Sequence, residues 1–229
     1  MRYILIGRGK MGRLLQETAR AAGDQVEAAF GREDLDQLGR LGKVADVVID
    51  FSRPEALPEI CSYVRRTGTA LLSGTTGYTS DQLPVLWSAN FSLGVAVLAR
   101  ALRDVTGVLR PEFDIEVTEV HHNQKTDAPS GTAKLLVEAM DPCQELTPVY
   151  GRQGQTGRRN REEIGIHALR GGTVAGTHTV HFFGPDEELE FTHRAASRQI
   201  FVNGALRVAR LLPGRANGIY DLENILFGE

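Results

Sequence analysis

The chain has 229 residues, 41% hydrophobic and 24% charged, with a formal net charge of -3, an ordinary globular balance with room for one large or two small domains. That charge gives no general attraction to nucleic acid, whose binders usually carry a basic face, and no apolar run approaches the ~20 residues of a membrane helix. Cys61 and Cys143 stand far apart with no metal or redox spacing, the pattern of a reduced cytoplasmic protein.

The first residues enter an apolar run at once, too short for a signal-peptide core. Up to residue 91, short apolar runs alternate with helical patterns. The runs at 3–6, 26–30, 47–51 and 69–72 read as strands buried on both faces of a parallel sheet. Between the first two, Met11, Leu14, Leu15, Thr18 and Ala22 recur at helical spacing. Gly23 follows where a left-handed helix end favours glycine. A second helix is expected from Pro54 to just before Gly68. This order describes a doubly wound, Rossmann-like α/β domain.

After Asn90-Phe91-Ser92 the pattern changes. Residues 93–109 read as a long helix. An alternating strand follows, with Phe113, Ile115 and Val117 on one face and Asp114, Glu116 and Thr118 on the other, so the two faces meet different surroundings. Ser130 reads as the N-cap of a helix over 131–140 that stops at Asp141-Pro142. Residues 151–161, rich in Gly and Arg, read as an exposed loop. Residues 177–183 and 189–193 suggest a hairpin around Gly184-Pro185-Asp186. A last helix, through Ala205, Leu206, Val208, Ala209, Leu211 and Leu212, is expected to pack back on the first domain. The expected architecture is a dinucleotide-binding domain of residues 1–91 plus 204–229. An α+β domain for substrate binding and oligomerisation, 92–203, is inserted into it.

Gly7-Arg8-Gly9-Lys10-Met11-Gly12 follows a strand and opens a helix. The first glycine permits the tight turn, the second lets a pyrophosphate approach the backbone, and the third allows helix and strand to pack closely. The helix start supplies N–H groups and a positive dipole end for the phosphates. After the second strand, sites for NAD place a carboxylate that accepts from the ribose. Here that position is Gly31, and Arg32 beside it can fork onto a 2'-phosphate. NADPH is therefore favoured and NADH remains possible, with Glu33 and Asp34 close by. Two more loops stand at strand ends, Ser73-Gly74-Thr75-Thr76-Gly77 and Ser88-Ala89-Asn90-Phe91. There small residues let a ring lie near the backbone.

The run His121-His122-Asn123-Gln124-Lys125 leads into Ser130-Gly131-Thr132. Glu119 and His121 continue the face of Phe113, Ile115 and Val117. Neighbouring histidines on a straight strand diverge, so no zinc site is expected. His121 suits acid–base work near neutral pH. Lys125 can donate a proton or hold a carboxylate. The N–H groups of Gly131 and Thr132, at a positive helix end, form a seat for a carboxylate. The other histidines, His167, His178, His181 and His193, lack such company and are read as structural.

The stretch Glu119-Val120-His121-His122-Asn123-Gln124-Lys125-Thr126-Asp127-Ala128-Pro129-Ser130-Gly131-Thr132-Ala133 closely resembles the signature of the dihydrodipicolinate reductase family, also called 4-hydroxy-tetrahydrodipicolinate reductase. Asp50-Phe51-Ser52-Arg53-Pro54-Glu55, Gly74-Thr75-Thr76-Gly77 and Ser88-Ala89-Asn90-Phe91-Ser92 extend the resemblance over nearly the whole chain. It implies reduction of a small cyclic dicarboxylate in the diaminopimelate route to lysine, by hydride transfer to C4 with loss of the 4-hydroxyl as water. It implies His121 as proton donor or acceptor, Lys125 as proton donor, and substrate contacts from His122, Gly131 and Thr132. Gly74, Thr75, Thr76, Ser88, Ala89, Asn90 and Phe91 match contacts near the nicotinamide, and family members are usually homotetramers built through the second domain's sheet. The glycine loop departs from the family pattern by one missing residue and by Lys10 in place of arginine. Two other readings stay open: a different NADP-dependent two-domain reductase of amino-acid metabolism, and a non-catalytic dinucleotide sensor.

Overall fold

A computed structural model describes residues 1–75, 84–88 and 90–228; the expectations for Thr76 and Ala89 fall outside the described residues. The chain divides into two units, one of Met1–Leu93 with Arg198–Glu229 and one of Gly94–Ser197.

The first unit contains β1 (Arg2–Ile6), α1 (Lys10–Ala21), β2 (Gln25–Phe30), β3 (Val47–Asp50), α2 (Leu57–Thr67), β4 (Ala70–Ser73), β5 (Pro84–Trp87), α5 (Gln199–Ala209), β11 (Gly218–Tyr220) and α6 (Leu222–Phe227). Its six strands pair in the order β11-β5-β4-β3-β1-β2, every pairing parallel. β1 therefore has β2 on one side and β3 on the other, which is the switch point where such sheets bind ligands at their carboxyl ends. β3 and β4 are buried throughout, as their unbroken apolar runs require. β2 differs from expectation: it is an edge strand and buries only Phe30. α2 opens through a 3₁₀ turn at Pro54–Ala56 and closes on left-handed Gly68. Its Ile60, Tyr63 and Val64 pack on Ile4, Val48 and Leu71 of the sheet.

α5 lies against α1, where Gln199 Nε2 donates to Thr18 Oγ1 at 3.0 Å. A Cβ on Gly204 would stand 1.7 Å from the carbonyl oxygen of Phe91, so only glycine lets α5 seat there. β5 and β11 had no apolar run to announce them; each is four residues or fewer.

The second unit is built around α3 (Leu93–Leu109), β6 (Asp114–His121), α4 (Gly131–Met140), β7 (Thr147–Val149), β8 (Glu163–Arg170), β9 (Gly176–Gly184) and β10 (Glu187–Ala195). The sheet order is β10-β9-β6-β8-β7, with β9 antiparallel to β10 and β6 and the rest parallel. β6 buries every second residue. Ile115 and Val117 pack with Ala99 and Leu102 of α3 and with Leu136 and Met140 of α4. Glu119 and His121 continue that buried face to the carboxyl end of the strand.

The opposite face of the sheet carries Glu116. A Cβ on Gly165 would lie 1.8 Å from its carboxylate, so the missing side chain leaves the space that Glu116 occupies. Arg152 forks onto that carboxylate with two bonds of 2.9 Å. Arg159 adds a third at 3.0 Å and His167 a fourth at 2.7 Å. The loop over 151–161 is thus without regular structure but fastened, because Arg159 also donates to Asp114 and to the carbonyls of Ile115 and Glu163. His167, read from sequence as lacking company, has this carboxylate as its partner. His181 likewise meets Glu188 at 2.9 Å and Glu190 at 3.2 Å.

Burial pushes the Glu116 carboxyl up, but hydrogen bonds from Arg152, His167 and Arg159 outweigh it and hold the group at about 2, against an ordinary 4.5. A carboxyl depressed on folding stabilises the protein above its unfolded value, and that contribution fades as pH falls through the folded one. Glu116→Gln is therefore expected to melt below the wild type at neutral pH. The gap should narrow as acidity rises from about 4.5 toward about 2, as thermal melts across that range would show.

Candidate active site

In the first unit, the carboxyl ends of β1, β2 and β3 border a cleft of about 710 Å³ lined by Gly7, Arg8, Gly9, Arg32, Phe51 and Ser52 among others. Each glycine of the loop has its own reason. Gly7 has φ +104°, and a Cβ there would meet the Phe51 carbonyl at 2.4 Å. Gly12 is buried with its Cα turned on Gly7, where a Cβ would stand 1.7 Å from the Gly7 oxygen. Gly9 precedes α1 with nothing within 4 Å of where a Cβ would be, so the backbone there is open to a ligand. No acidic residue occupies the first turn of α1, which leaves its positive end unopposed. Lys10 and Met11 form that first turn and do not line the cleft.

The acidic neighbours of Arg32 are sorted by the fold. Asp34 accepts from the Gly31 N–H at 2.7 Å and from the Arg8 guanidinium, which also donates to the Ala29 carbonyl at 2.7 Å. The Gly31 bond and the Arg8 contact hold Asp34 below the usual carboxylate range. Asp34 is therefore spent on shaping the turn, while exposed Arg32 and Glu33 line the cleft. Further along, Gly74 lies on the Phe51 ring, where a Cβ would come within 2.6 Å. Thr75 is buried and its carbonyl accepts from Trp87 Nε1 at 2.9 Å. The Ser88 hydroxyl donates to the Asn90 carbonyl at 2.7 Å and accepts from the Asn90 N–H at 3.2 Å. Phe91 is buried edge-on against Phe51, ring centroids 5.5 Å apart. A glycine cradle and an open helix start fit a dinucleotide phosphate backbone, with Arg32 among the side chains at the rim.

In the second unit, the buried carboxylate of Glu119 gathers the expected substrate residues. It accepts from His121 Nδ1 at 2.5 Å and from the Ser130 N–H at 3.1 Å. Arg170 adds two bonds of 2.8 Å. Arg170 also donates to the Asp127 carbonyl at 2.7 Å, and the Asp127 carboxylate holds Lys125 Nζ at 2.7 and 2.9 Å. Ser130 caps α4 by accepting from the Ala133 N–H at 3.1 Å, and its hydroxyl meets His178 Nε2 at 3.0 Å. Gly131, exposed, and Thr132, half-buried, make the first turn of α4 beside this cluster. The His122 N–H is fixed by the Val174 carbonyl at 2.8 Å.

Burial lowers the His178 imidazole to about 4, with help from His121, so it is neutral at physiological pH. For Glu119, burial acts upward, but Arg170, His121 and the Ser130 N–H prevail and keep the group ionised.

The family description "Dihydrodipicolinate reductase, N-terminus" matches residues 1–100, and "Dihydrodipicolinate reductase, C-terminus" matches residues 94–226. The chain belongs to the dihydrodipicolinate reductase family. It is a nicotinamide-dinucleotide-dependent oxidoreductase. The 4-hydroxy-tetrahydrodipicolinate reductase of Exiguobacterium sp. (strain AT1b) is 40% identical over 238 residues, 98% of this chain and 95% of that one. That of Pseudomonas fluorescens is 41% identical over 216 residues, 87% of this chain and 81% of the other. A dipicolinate-bound dihydrodipicolinate reductase from Paenisporosarcina sp. TG-14 shares the fold, with a TM-score of 0.79 at 20% identity and 99% of each chain covered.

Sequence reasoning missed the fixed company of His121. Glu119 could have been found, since it sits two residues before His121 on the same strand face. Arg170 and His178 could not, because they reach the site through strand pairing across 51 and 48 residues. His178, read as structural for want of neighbours, packs edge-on to His121 with ring centroids 5.1 Å apart.

Gly9→Ala tests the cradle. Its dihedrals, φ -73° and ψ -166°, suit alanine, so the melting temperature is expected to hold. Cofactor affinity should fall on the order of 10-fold or more, since one methyl blocks close approach of a phosphate to the backbone. Fluorescence titration with the reduced cofactor measures it.

Proposed function

We propose that this chain reduces 4-hydroxy-tetrahydrodipicolinate to tetrahydrodipicolinate with loss of water, in the diaminopimelate route to lysine, and that NADPH is its preferred cofactor. The observation that carries the reading is that one buried carboxylate holds His121 and the start of α4 directly, and the loop bearing Lys125 through Arg170 and Asp127. That cluster offers an imidazole, an ammonium and a helix mouth, the set that holds a ring dianion and supplies it with protons. The dipicolinate of the Paenisporosarcina relative is a ring of the same kind, with two carboxylates.

A bound nicotinamide supplies the hydride that C4 gains. The balance then requires one proton per turnover, which leaves with the 4-hydroxyl as water. Lys125 Nζ and His121 Nε2 are the groups placed to carry it. Nδ1 of His121 is engaged by Glu119, so Nε2 is the atom that exchanges a proton with the ring. Lys125 is held by Asp127, which stays ionised below the usual carboxylate range through the lysine's hydrogen bond. Gly131 and Thr132 seat a substrate carboxylate at the start of α4, and His122 adds a contact. In the first unit, Gly7, Arg8, Gly9, Gly74, Thr75, Ser88, Asn90 and Phe91 support the cofactor, with Arg32 placed for a 2'-phosphate.

An ordered proton-handling cluster is superfluous in a dinucleotide sensor, which favours the enzyme. The thiols of Cys61 and Cys143 are unpaired, as suits a reducing cytoplasm. No helix among the described residues is long and apolar enough to cross a membrane. A homotetramer would use the open face of the second unit's sheet, where Leu169 and Phe183 are 49% and 41% exposed.

The direct test follows nicotinamide absorbance with freshly made substrate, NADPH against NADH. No turnover with either cofactor would end the reading. Lys125→Ala is expected to lower kcat at least ~10²-fold, the scale of a lost proton-transfer group. Arg32→Ala should weaken NADPH on the order of 10-fold while sparing NADH, as loss of a charge-assisted bond to the 2'-phosphate requires. Equal losses for both cofactors would remove Arg32 from phosphate recognition.

A further inference from the structure

Glu119 is fully buried, and all of its acceptor capacity is used by four bonds from three residues of the second unit. Oε2 faces His121 Nδ1 and one Arg170 nitrogen; Oε1 faces the Ser130 N–H and the other. An ionised carboxylate only accepts, so the facing imidazole nitrogen must carry a hydrogen. The bidentate guanidinium cancels the charge locally and keeps the carboxylate from rotating. Nε2 of His121 is then left as the basic atom. It faces Gly176, where even a Cβ would crowd it at 3.1 Å.

We propose that Glu119, locked by Arg170, is the positioning residue that sets the tautomer of His121, leaving Nε2 as its proton-exchanging atom, and that the same carboxylate aligns the start of α4 through Ser130. This rests on the functional reading above and adds two residues to it. A structural role alone would require only that the buried charge be neutralised. The geometry does more, because one carboxylate ties an imidazole, a helix cap and the loop holding Lys125 to a common point. The charged or titratable groups around His121 are Glu119 on its own strand, Arg170 on β8 and His178 on β9, with Lys125 and Asp127 linked to them through Arg170.

Glu119→Gln changes charge and tautomer control with little change in size. With Arg170 still donating to the amide oxygen, the amide nitrogen turns toward His121, and Nδ1 must accept. Nε2 then carries the hydrogen at neutral pH. The expected result is a kcat at least ~10²-fold lower, with cofactor affinity unchanged, because the cofactor is held by the first unit. The pH profile of kcat should change as well, because a neutral amide replaces the carboxylate facing the ring. Arg170→Lys, which keeps the charge but loses the fork, should fall between the variant and the wild type. Wild-type kcat and an unmoved pH profile in Glu119→Gln would overturn the proposal.

A second measurement needs no variant and no substrate. Nitrogen-15 NMR of the wild-type protein reports which ring nitrogen of His121 is protonated. A hydrogen on Nδ1 of the neutral ring supports the proposal, and a hydrogen on Nε2 overturns it. Failure of the wild type to reduce 4-hydroxy-tetrahydrodipicolinate would instead strike the functional reading, and leave the NMR result to stand or fall alone.

Discussion

A carboxylate removed from water is costly until every oxygen lone pair has a donor. Glu119 meets that condition only when several segments arrive together: the end of β6, the end of β8, and the turn that opens α4. The site is therefore assembled by the same event that completes the sheet. A misregistered β8 would withdraw Arg170 and leave a buried charge unpaired. Register errors at this strand pair are thus penalised by electrostatics as well as by lost apolar contact. The residues proposed to handle substrate inherit their placement from that demand.

The first unit follows a different logic. Its cleft is shaped by absences. Gly7 and Gly12 let the β1–α1 turn close on itself, and Gly74 lets the next loop lie on the Phe51 ring. Of the two carboxylates next to Arg32, Asp34 is drawn into the turn by the Gly31 N–H and Arg8, while Glu33 stays at the cleft. Charge at the rim is therefore set by which side chains the backbone has already engaged, and Arg32 faces the cleft beside Glu33.

Much of this was legible before any coordinates. The glycine spacing, the unbroken apolar strands β3 and β4, the alternation of β6 and the Ser130 cap are local patterns, and local patterns survive in sequence. The 131–140 helix and the 93–109 helix have the expected bounds. What could not be read was pairing. β8 carries Ile164 and Ile166 but is interrupted by Gly165 and His167, so its strand character depends on β6 beside it. β5 and β11 are too short to show a period. The edge position of β2 is likewise a property of the sheet, though Gln25 and Glu27 within the strand are the polar residues an edge tolerates. Arg170 and His178 share this fate: each acquires its role from a neighbour on another strand.

The pairing of Gly165 with Glu116 has an implication for how such chains drift. Arg152 and Arg159 grip a carboxylate seated over the bare backbone of a glycine, so the irregular stretch between them is moored by side chains at both ends rather than by ladder bonds. Between the moorings, only Gly154 and Gly157, in left-handed backbone, resist a side chain on conformational grounds, whereas any side chain gained at Gly165 would unseat Glu116 and cast off the whole segment at once. In this chain the loop's attachment is therefore guarded less by its own residues than by a point on a strand some distance away in sequence.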